Sequence, residues 1–193
     1  MKKIVYRYSL LCSLGFLTFV PITGILSPGS SSSQVSPSIG QNQVSRKPAS
    51  STKQYKNSTY GVSLNYPSNW RRTKGYEDRE RFSGADGFFL VSALSSPSPS
   101  TIQNVCKDTL NHRLNPYGTR PQVQRLQIQG RPACLISPSS DQDPAMERIA
   151  TLIVRYPTPI RLNGANYNHL TLSANKEHIR QITNGLRFTI PRR

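Results

Sequence analysis

The stretch YGVSLNYPSNW, from Tyr60 to Trp70, contains no charged residue and ends in the only tryptophan of the chain. Large side chains alternate with small or polar ones at every second position: Tyr60, Val62, Leu64 and Tyr66 against Gly61, Ser63 and Asn65. A period of two predicts a β-strand with one buried face. Pro67 ends this strand, because proline donates no backbone hydrogen bond, and a turn then returns Trp70 to the core. The stretch therefore predicts the strand that begins a folded domain.

Strand and turn signals recur along the rest of the chain, together with two helical patterns. Further strands are predicted over the charged edge segment Arg71–Phe82, the apolar runs Phe88–Leu94 and Arg148–Tyr156, the hairpin Gln122–Ser137 turning at Gly130, the alternating segment Asn166–Ala174 and the short segment Leu186–Ile190. One helix follows a capping pattern at Ser100, and the other lies between Asn175 and Gly185. Dominant hairpins predict an α+β fold, in which an antiparallel sheet of about six or seven strands is packed by two helices.

The segment with Tyr60-Gly61, Tyr66-Pro67 and Trp70 resembles the PsbP-like family, whose namesake is the extrinsic subunit on the lumenal side of photosystem II. The resemblance covers about Tyr55 to Ile190. It implies a central antiparallel sheet with helices on both sides. It also implies a small non-enzymatic binding or assembly factor, of a kind often exported and common in cyanobacteria. No ligand motif of the family carries over residue by residue.

The N-terminus has the layout of an export segment. Lys2, Lys3 and Arg7 precede an apolar run from Ser9 to Leu26, so residues 1–26 are predicted to be a signal peptide or a retained membrane anchor. Residues 27–53 are rich in Ser, Pro and Gln and are predicted to be a disordered linker. The folded domain is predicted over residues 54–193, in the periplasm, the thylakoid lumen or the extracellular space.

Two cysteines, Cys106 and Cys134, remain outside the export segment. An even pair in an exported chain predicts a disulfide, which would tie the first helix to the sheet. Two free buried thiols are the alternative. A catalytic cysteine is disfavoured, because His112 lies six residues from Cys106 on the same predicted helix and faces another direction.

A strong positive charge is the most informative bulk property. The chain carries 25 Lys and Arg against 9 Asp and Glu, a formal net charge of +16. Such a surface attracts anionic partners, although positive charge also serves solubility alone. The candidate binding surface follows Trp70 and is interleaved with Tyr76 and Phe82; its residues are Arg71, Arg72, Lys74, Arg79 and Arg81. An acidic protein or an anionic envelope surface is the expected partner, and export makes nucleic acid unexpected.

Catalytic and metal-binding patterns are weak. The three histidines, His112, His169 and His178, have no metal-ligand spacing, and no metal ion or cofactor is predicted. His169 is expected to face solvent on its strand. No known catalytic motif occurs. The sequence therefore predicts a non-catalytic binding or assembly module that meets an envelope or thylakoid partner through its basic surface. An extracytoplasmic hydrolase with an unrecognised site and a binder of cell-wall or lipid polyanions are the alternatives.

Overall fold

The computed structural model describes residues 51–75, 79–96 and 100–189 of the chain. The predicted export segment and most of the predicted linker lie outside these residues. Thr52 and Lys53, predicted as linker, instead belong to the first strand, which precedes the strand of the opening stretch and pairs with it. The opening stretch therefore forms the second strand of the domain and not the first. Within the described residues, the elements in chain order are β1 (Thr52–Asn57), β2 (Val62–Pro67), β3 (Arg71–Lys74), β4 (Glu80–Gly84), β5 (Gly87–Leu94), α1 (Ile102–Leu110), β6 (Gln122–Ile128), β7 (Arg131–Ser137), α2 (Pro144–Glu147), β8 (Ile149–Leu162), β9 (Ala165–Asn175), α3 (Lys176–Asn184) and β10 (Arg187–Phe188).

The strands form two antiparallel sheets. The large sheet has seven strands in the order β3-β4-β5-β9-β8-β7-β6, and the small sheet has three in the order β1-β2-β10. The predicted α+β class and the antiparallel pairing are confirmed. The described strands form two sheets and not the single sheet that was predicted. In the small sheet, β10 pairs with β2 across a long sequence separation, with Arg187 opposite Ser63. The described residues also include a third helix, the short α2, which the sequence analysis does not predict.

The main core lies on the inner face of the large sheet, which we define as the face that carries Leu152 and Leu172. The small sheet and α3 cover this face, and α3 contributes Ile179 and Ile182 to the same cluster of buried residues. Trp70 joins this core and is only 1% exposed, as the opening stretch predicts. Burial of apolar side chains at about 25 cal/mol per Å² is the main force that holds the two sheets together.

Helix α1 packs on the opposite, outer face of the large sheet. Val105 and Cys106 of α1 contact a second buried cluster that includes Ile136 and Ile153. Cys106 and Cys134 form a disulfide with a Cα–Cα distance of 6.7 Å, which confirms the predicted bond between helix and sheet. Helices therefore lie on both sides of the central sheet, α3 on the inner face and α1 on the outer.

Aromatic rings fill the junction between the small sheet and the β3–β5 end of the large one. Phe82 stacks on Phe89 at a centroid distance of 5.0 Å, and Tyr66 and Trp70 lie 5.3 and 6.2 Å from Phe89. Gly84 makes room for this packing, because a Cβ atom there would lie 2.4 Å from Cδ1 of Trp70. The indole therefore requires a residue without a side chain at position 84.

Strand β8 is longer than predicted. The sequence places its end at Pro157, but β8 continues to Leu162 and pairs with β9 again from Ile160. The register shifts between Arg155 and Ile160, so Pro157 lies in a bulge where the ladder is interrupted. Proline here interrupts the pairing without ending the strand.

The helix caps differ in detail from the predicted ones. The N-cap of α1 is Thr101, one residue after the predicted Ser100, and its hydroxyl accepts a hydrogen bond from the backbone N of Asn104 at 3.3 Å. Asn175 stands at the N-cap of α3, as predicted, but makes no side-chain cap bond. Its Oδ1 accepts from the backbone N of Phe88 at 2.8 Å instead, which links α3 to β5.

Candidate functional site

The five cations of the predicted binding surface do not lie on one face. Arg71 is opposite Ser83 and Arg81 is opposite Thr73, so Arg71 and Arg81 share the outer face of the large sheet. Arg72 and Lys74 alternate with them and lie on the inner side. Arg79 immediately precedes β4. The strand period of two therefore separates cations that are adjacent in sequence.

Several of these cations are already engaged within the domain. Nη2 of Arg72 lies 2.8 Å from Oε1 of Glu80, whose other oxygen accepts from the hydroxyl of Tyr55 at 2.6 Å. The guanidinium of Arg81 covers the ring of Phe88, with its carbon 4.2 Å from the ring centroid. Internal pairing and ring stacking reduce the charge that this surface offers to a partner.

A second set of cations lines a cleft at the other end of the large sheet. The β6–α3 cleft, of about 410 Å³, lies between the inner face of β6 and the C-terminal part of α3. Its floor includes Leu126, Leu135 and Leu186, and its polar rim includes Gln124, Arg180 and Arg187. The rim residues come from three segments, so their proximity is a product of the fold.

Arg180 and Arg187 are held in place by neutral groups. Nη2 of Arg180 donates to Oε1 of Gln124 at 2.9 Å. Nη1 of Arg187 donates to the backbone oxygens of Asn184 and Leu186 at 3.0 and 2.8 Å. Among residues 51–75, 79–96 and 100–189, neither guanidinium forms an ion pair. Each arginine carries five donors, so both retain capacity for an anionic group.

Thr183 lines the cleft, but its hydroxyl oxygen is closed to solvent. Thr183, in the last turn of α3, is 6% exposed, and its Oγ1 makes no hydrogen bond within the described part of the chain. A buried polar group left unpaired costs about 1–3 kcal/mol. A threonine at this position is therefore unfavourable for the isolated domain, and a valine of the same shape would avoid the cost.

A more apolar cleft of about 460 Å³ lies beside the bulge of β8. It is lined by Tyr156, Pro157 and Ile160 from β8, and by Phe188 of β10. The ring of Tyr156 packs edge-on against Phe188 at 5.5 Å, and its hydroxyl is buried with no hydrogen-bond partner in the described residues. Burial raises the pKa of the Tyr156 phenol, so the group is neutral at physiological pH.

His169 and His178 belong to two separate side-chain pairs. Oγ of Ser96 lies 3.3 Å from Nδ1 of His169, and the charged group that acts on this histidine is Arg155. His178 instead lies 3.6 Å from Asp86. A Ser-His-Asp relay needs an acid behind the histidine and a nucleophile in front of it, and each pair supplies only one of these. In the described ranges, no group of three His, Cys, Asp or Glu could hold a metal ion.

His169 is not solvated, contrary to the prediction. Its strand alternates as expected, but the side chain is only 1% exposed on the outer face of β9. Burial lowers the pKa of the imidazole, and the positive charge of Arg155 lowers it further, so His169 is neutral. The prediction was wrong because it treated the outer face as free, whereas the packing on that face buries this position.

Asp86 is the hydrogen-bond partner of Trp70, the last residue of the opening stretch. Nε1 of Trp70 donates to Oδ1 of Asp86 at 2.6 Å. This hydrogen bond is the main reason why the pKa of Asp86 is lowered, and the nearby His178 lowers it further. The contact satisfies the one polar atom of a buried indole, so its role is structural.

The sequence places Arg187 only in a second basic group near the end of the chain, and it does not single out Arg180, Thr183 or Tyr156 as candidate site residues. The distribution of acids distinguishes the β6 region from the surface predicted from the sequence. No Asp or Glu occurs between Asp108 and Asp141, whereas this interval contains Arg113, Arg120, Arg125 and Arg131. Four of the nine acids instead fall within residues 77–86, beside the predicted basic surface.

The described residues contain no helix that is long and apolar enough to cross a membrane. The predicted signal or anchor, residues 9–26, lies outside them. The Cys106–Cys134 disulfide is typical of proteins in oxidising compartments and agrees with export.

No family model and no curated protein matches this chain. Among solved structures, the chain is similar to a Bacteroides thetaiotaomicron VPI-5482 protein, with a TM-score of 0.43 and 14% identity over 72% of this chain and 48% of that one. This chain thus spans about half the length of that protein. It is also similar to cyanobacterial PsbP (CyanoP) from Synechocystis sp. PCC 6803, with a TM-score of 0.38 and 12% identity over 72% of this chain and 94% of that one.

Proposed function

We propose that the folded domain is an exported, non-catalytic binding module that binds an acidic segment of a partner protein in the envelope or at the thylakoid. One observation carries the proposal: Arg180 and Arg187 line the same cleft, and neither forms an ion pair within the described residues. Unpaired cations beside hydrogen-bonding side chains favour carboxylates, which can accept several donors at once. The cleft is therefore the main candidate site.

The shape of the cleft favours a protein segment over a membrane surface. A bilayer presents a broad plane of headgroups, whereas the β6–α3 cleft is a concave space of about 410 Å³ with an apolar floor. A polypeptide can place a carboxylate on the rim and an apolar side chain on the floor. The amides of Gln124 and Asn184 add directional hydrogen bonding, which supports specificity.

The surface predicted from the sequence remains a second location for the same function. Arg71 and Lys74, on the exposed edge strand β3, are the members of that surface best suited to an external anion. Arg72 has a carboxylate partner and Arg81 an aromatic one, whereas Arg71, like Arg187, donates to backbone oxygens, those of Ser68 and Trp70. A comparison of two double variants with equal loss of charge distinguishes the two locations.

The test measures fluorescence anisotropy of a labelled Glu-rich peptide with the purified domain. Arg180→Gln/Arg187→Gln is expected to weaken binding at least ten-fold, equivalent to about 1.4 kcal/mol, and the matched Arg71→Gln/Lys74→Gln variant by less than about three-fold. Binding of the unsubstituted domain is expected to weaken as ionic strength rises, because salt screens exposed charges.

Three results would contradict the proposal. Equal weakening by the two variants would mean that net charge alone drives binding. Binding to phosphatidylglycerol vesicles but not to the peptide would identify a lipid surface as the partner. Turnover of an ester or peptide panel that survives both double variants would favour the hydrolase alternative.

A further inference from the structure

Strand β6 is an open edge of the large sheet. It is the last strand in the sheet order, and no described element pairs with its free side. Its seven residues, QVQRLQI, contain no proline and only one charge, Arg125. The opposite edge strand, β3, has four residues of which three are cationic, a composition that discourages pairing with another strand. The two edges therefore differ in their capacity to accept a further strand.

The free edge of β6 lies along the β6–α3 cleft. Gln124, Leu126 and Ile128 share the inner face, since they pair with Leu135, Ala133 and Arg131 of β7. A strand added beyond β6, at the usual spacing of about 4.8 Å, would continue this face. Its inward side chains would then stand opposite α3, where Arg180 and Thr183 line the same cleft.

We infer that β6 accepts an extended acidic peptide as an eighth strand of the large sheet, with two inward carboxylates on Arg180 and Arg187. The inference rests on the proposed function and specifies how the acidic segment binds. Backbone hydrogen bonds to the β6 edge supply affinity, and the two arginines select the side chains.

The contacts of the two arginines set the spacing of the acids. Arg180 contacts the side chain of Gln124, near one end of β6. Arg187 precedes Phe188, whose backbone N donates to Oε1 of Gln129, the residue after the other end of β6. The inward positions closest to these two contacts are Gln124 and Ile128, four residues or about 14 Å apart. The preferred ligand therefore carries acids at positions i and i+4, on the same face of an extended strand.

Spacing provides the first arm of the test. The probes are about nine-residue, Thr-rich peptides, acetylated and amidated, with two Glu residues at i and i+4 or at i and i+3. The two peptides have equal charge, but the second places its acids on opposite faces. The domain is expected to bind the i, i+4 peptide at least ten-fold more tightly. Equal affinities would overturn the strand arrangement.

Backbone methylation provides the second arm and separates the two levels of the proposal. The i, i+4 peptide is N-methylated at every second amide, in two complementary sets, because alternate amides of a strand point to opposite sides. One set is expected to lose binding at least ten-fold and the other to retain it. Equal binding by both sets would overturn strand addition while the proposed function stands. Absence of binding by every acidic peptide would overturn the proposed function as well.

Discussion

Reduction of the Cys106–Cys134 disulfide is expected to destabilise the domain without displacing the two sulfur atoms from its core. The bond closes a loop with a sequence separation of 28, for which chain entropy gives about 3.6 kcal/mol of stabilisation. Both cysteines are buried among Ile102, Ile136 and Ile153. The reduced thiols can stay packed there, so reduction isolates the effect of the cross-link from a loss of burial.

The assay is equilibrium urea unfolding of the domain in its oxidised and reduced forms. With a slope of about 2 kcal/mol per M, the reduced form should unfold at a urea concentration about 1.8 M lower. The double variant Cys106→Ala/Cys134→Ala is the control. It should be insensitive to reductant and somewhat less stable than the reduced domain, because it also loses the two buried sulfur atoms.

Hydrogen exchange shows where the stability is lost. Helix α1 has nine residues, too few to be stable alone, so its amides should exchange faster after reduction. The amides of β8 and β9, in the middle of the large sheet, should change less. A midpoint shift below about 0.5 M, with complete reduction verified by thiol titration, would refute the chain-entropy reasoning. Equal acceleration in α1 and β8 would refute the local part of the prediction.

Three further predictions concern single side chains. Gly84→Ala should lower the free energy of unfolding by about 2–3 kcal/mol, because its Cβ would lie 2.4 Å from Cδ1 of Trp70. Thermal denaturation followed by tryptophan fluorescence tests this, and a loss below about 0.5 kcal/mol would contradict the contact. Asp141 has a pKa lowered to about 2, chiefly by a hydrogen bond from Ser139 and then by hydrogen bonds from Thr119. Its contribution to stability should therefore be present above the unfolded pKa of about 4 and should decline as pH falls towards 2. Asp141→Asn should flatten this dependence in pH-resolved urea titrations. His169 has a lowered pKa because of burial. Stability should therefore be lost as pH falls below about 6.5, where the unfolded chain gains a proton that the folded domain does not readily accept. An equally steep loss of stability in His169→Leu would contradict this assignment.

Local periodicity explains why much of the fold could be predicted. The alternation from Tyr60 to Tyr66 gives β2, and the apolar run of β5 gives a strand near the centre of the sheet. The positive φ angles of Gln129 and Gly130, 50° and 74°, suit the two-residue turn that joins β6 to β7. These features depend on residues that are adjacent in the sequence, and the composition of each one favours a single backbone conformation.

Features that depend on distant residues could not be predicted in the same way. The pairing of β10 with β2 is specified by tertiary packing, and a two-residue strand has no detectable period of its own. The burial of His169 depends on a second layer that the alternation of β9 does not reveal. Both outcomes depend on which secondary-structure elements pack against each other, and no local sequence pattern determines that packing.

The position of the cationic site has the same origin. On a strand, successive side chains point to opposite faces, so the adjacent residues Arg71 and Arg72 cannot both meet one flat partner. A concentrated positive field in a β-rich domain needs cations from different elements, as Arg180 of α3 and Arg187 of β10 provide. Strand β6, which borders these two arginines, lies in the stretch between Asp108 and Asp141 that contains no acid. We therefore place the proposed site at the segment that lacks acids and borders an open strand edge, and not at the densest run of Arg and Lys.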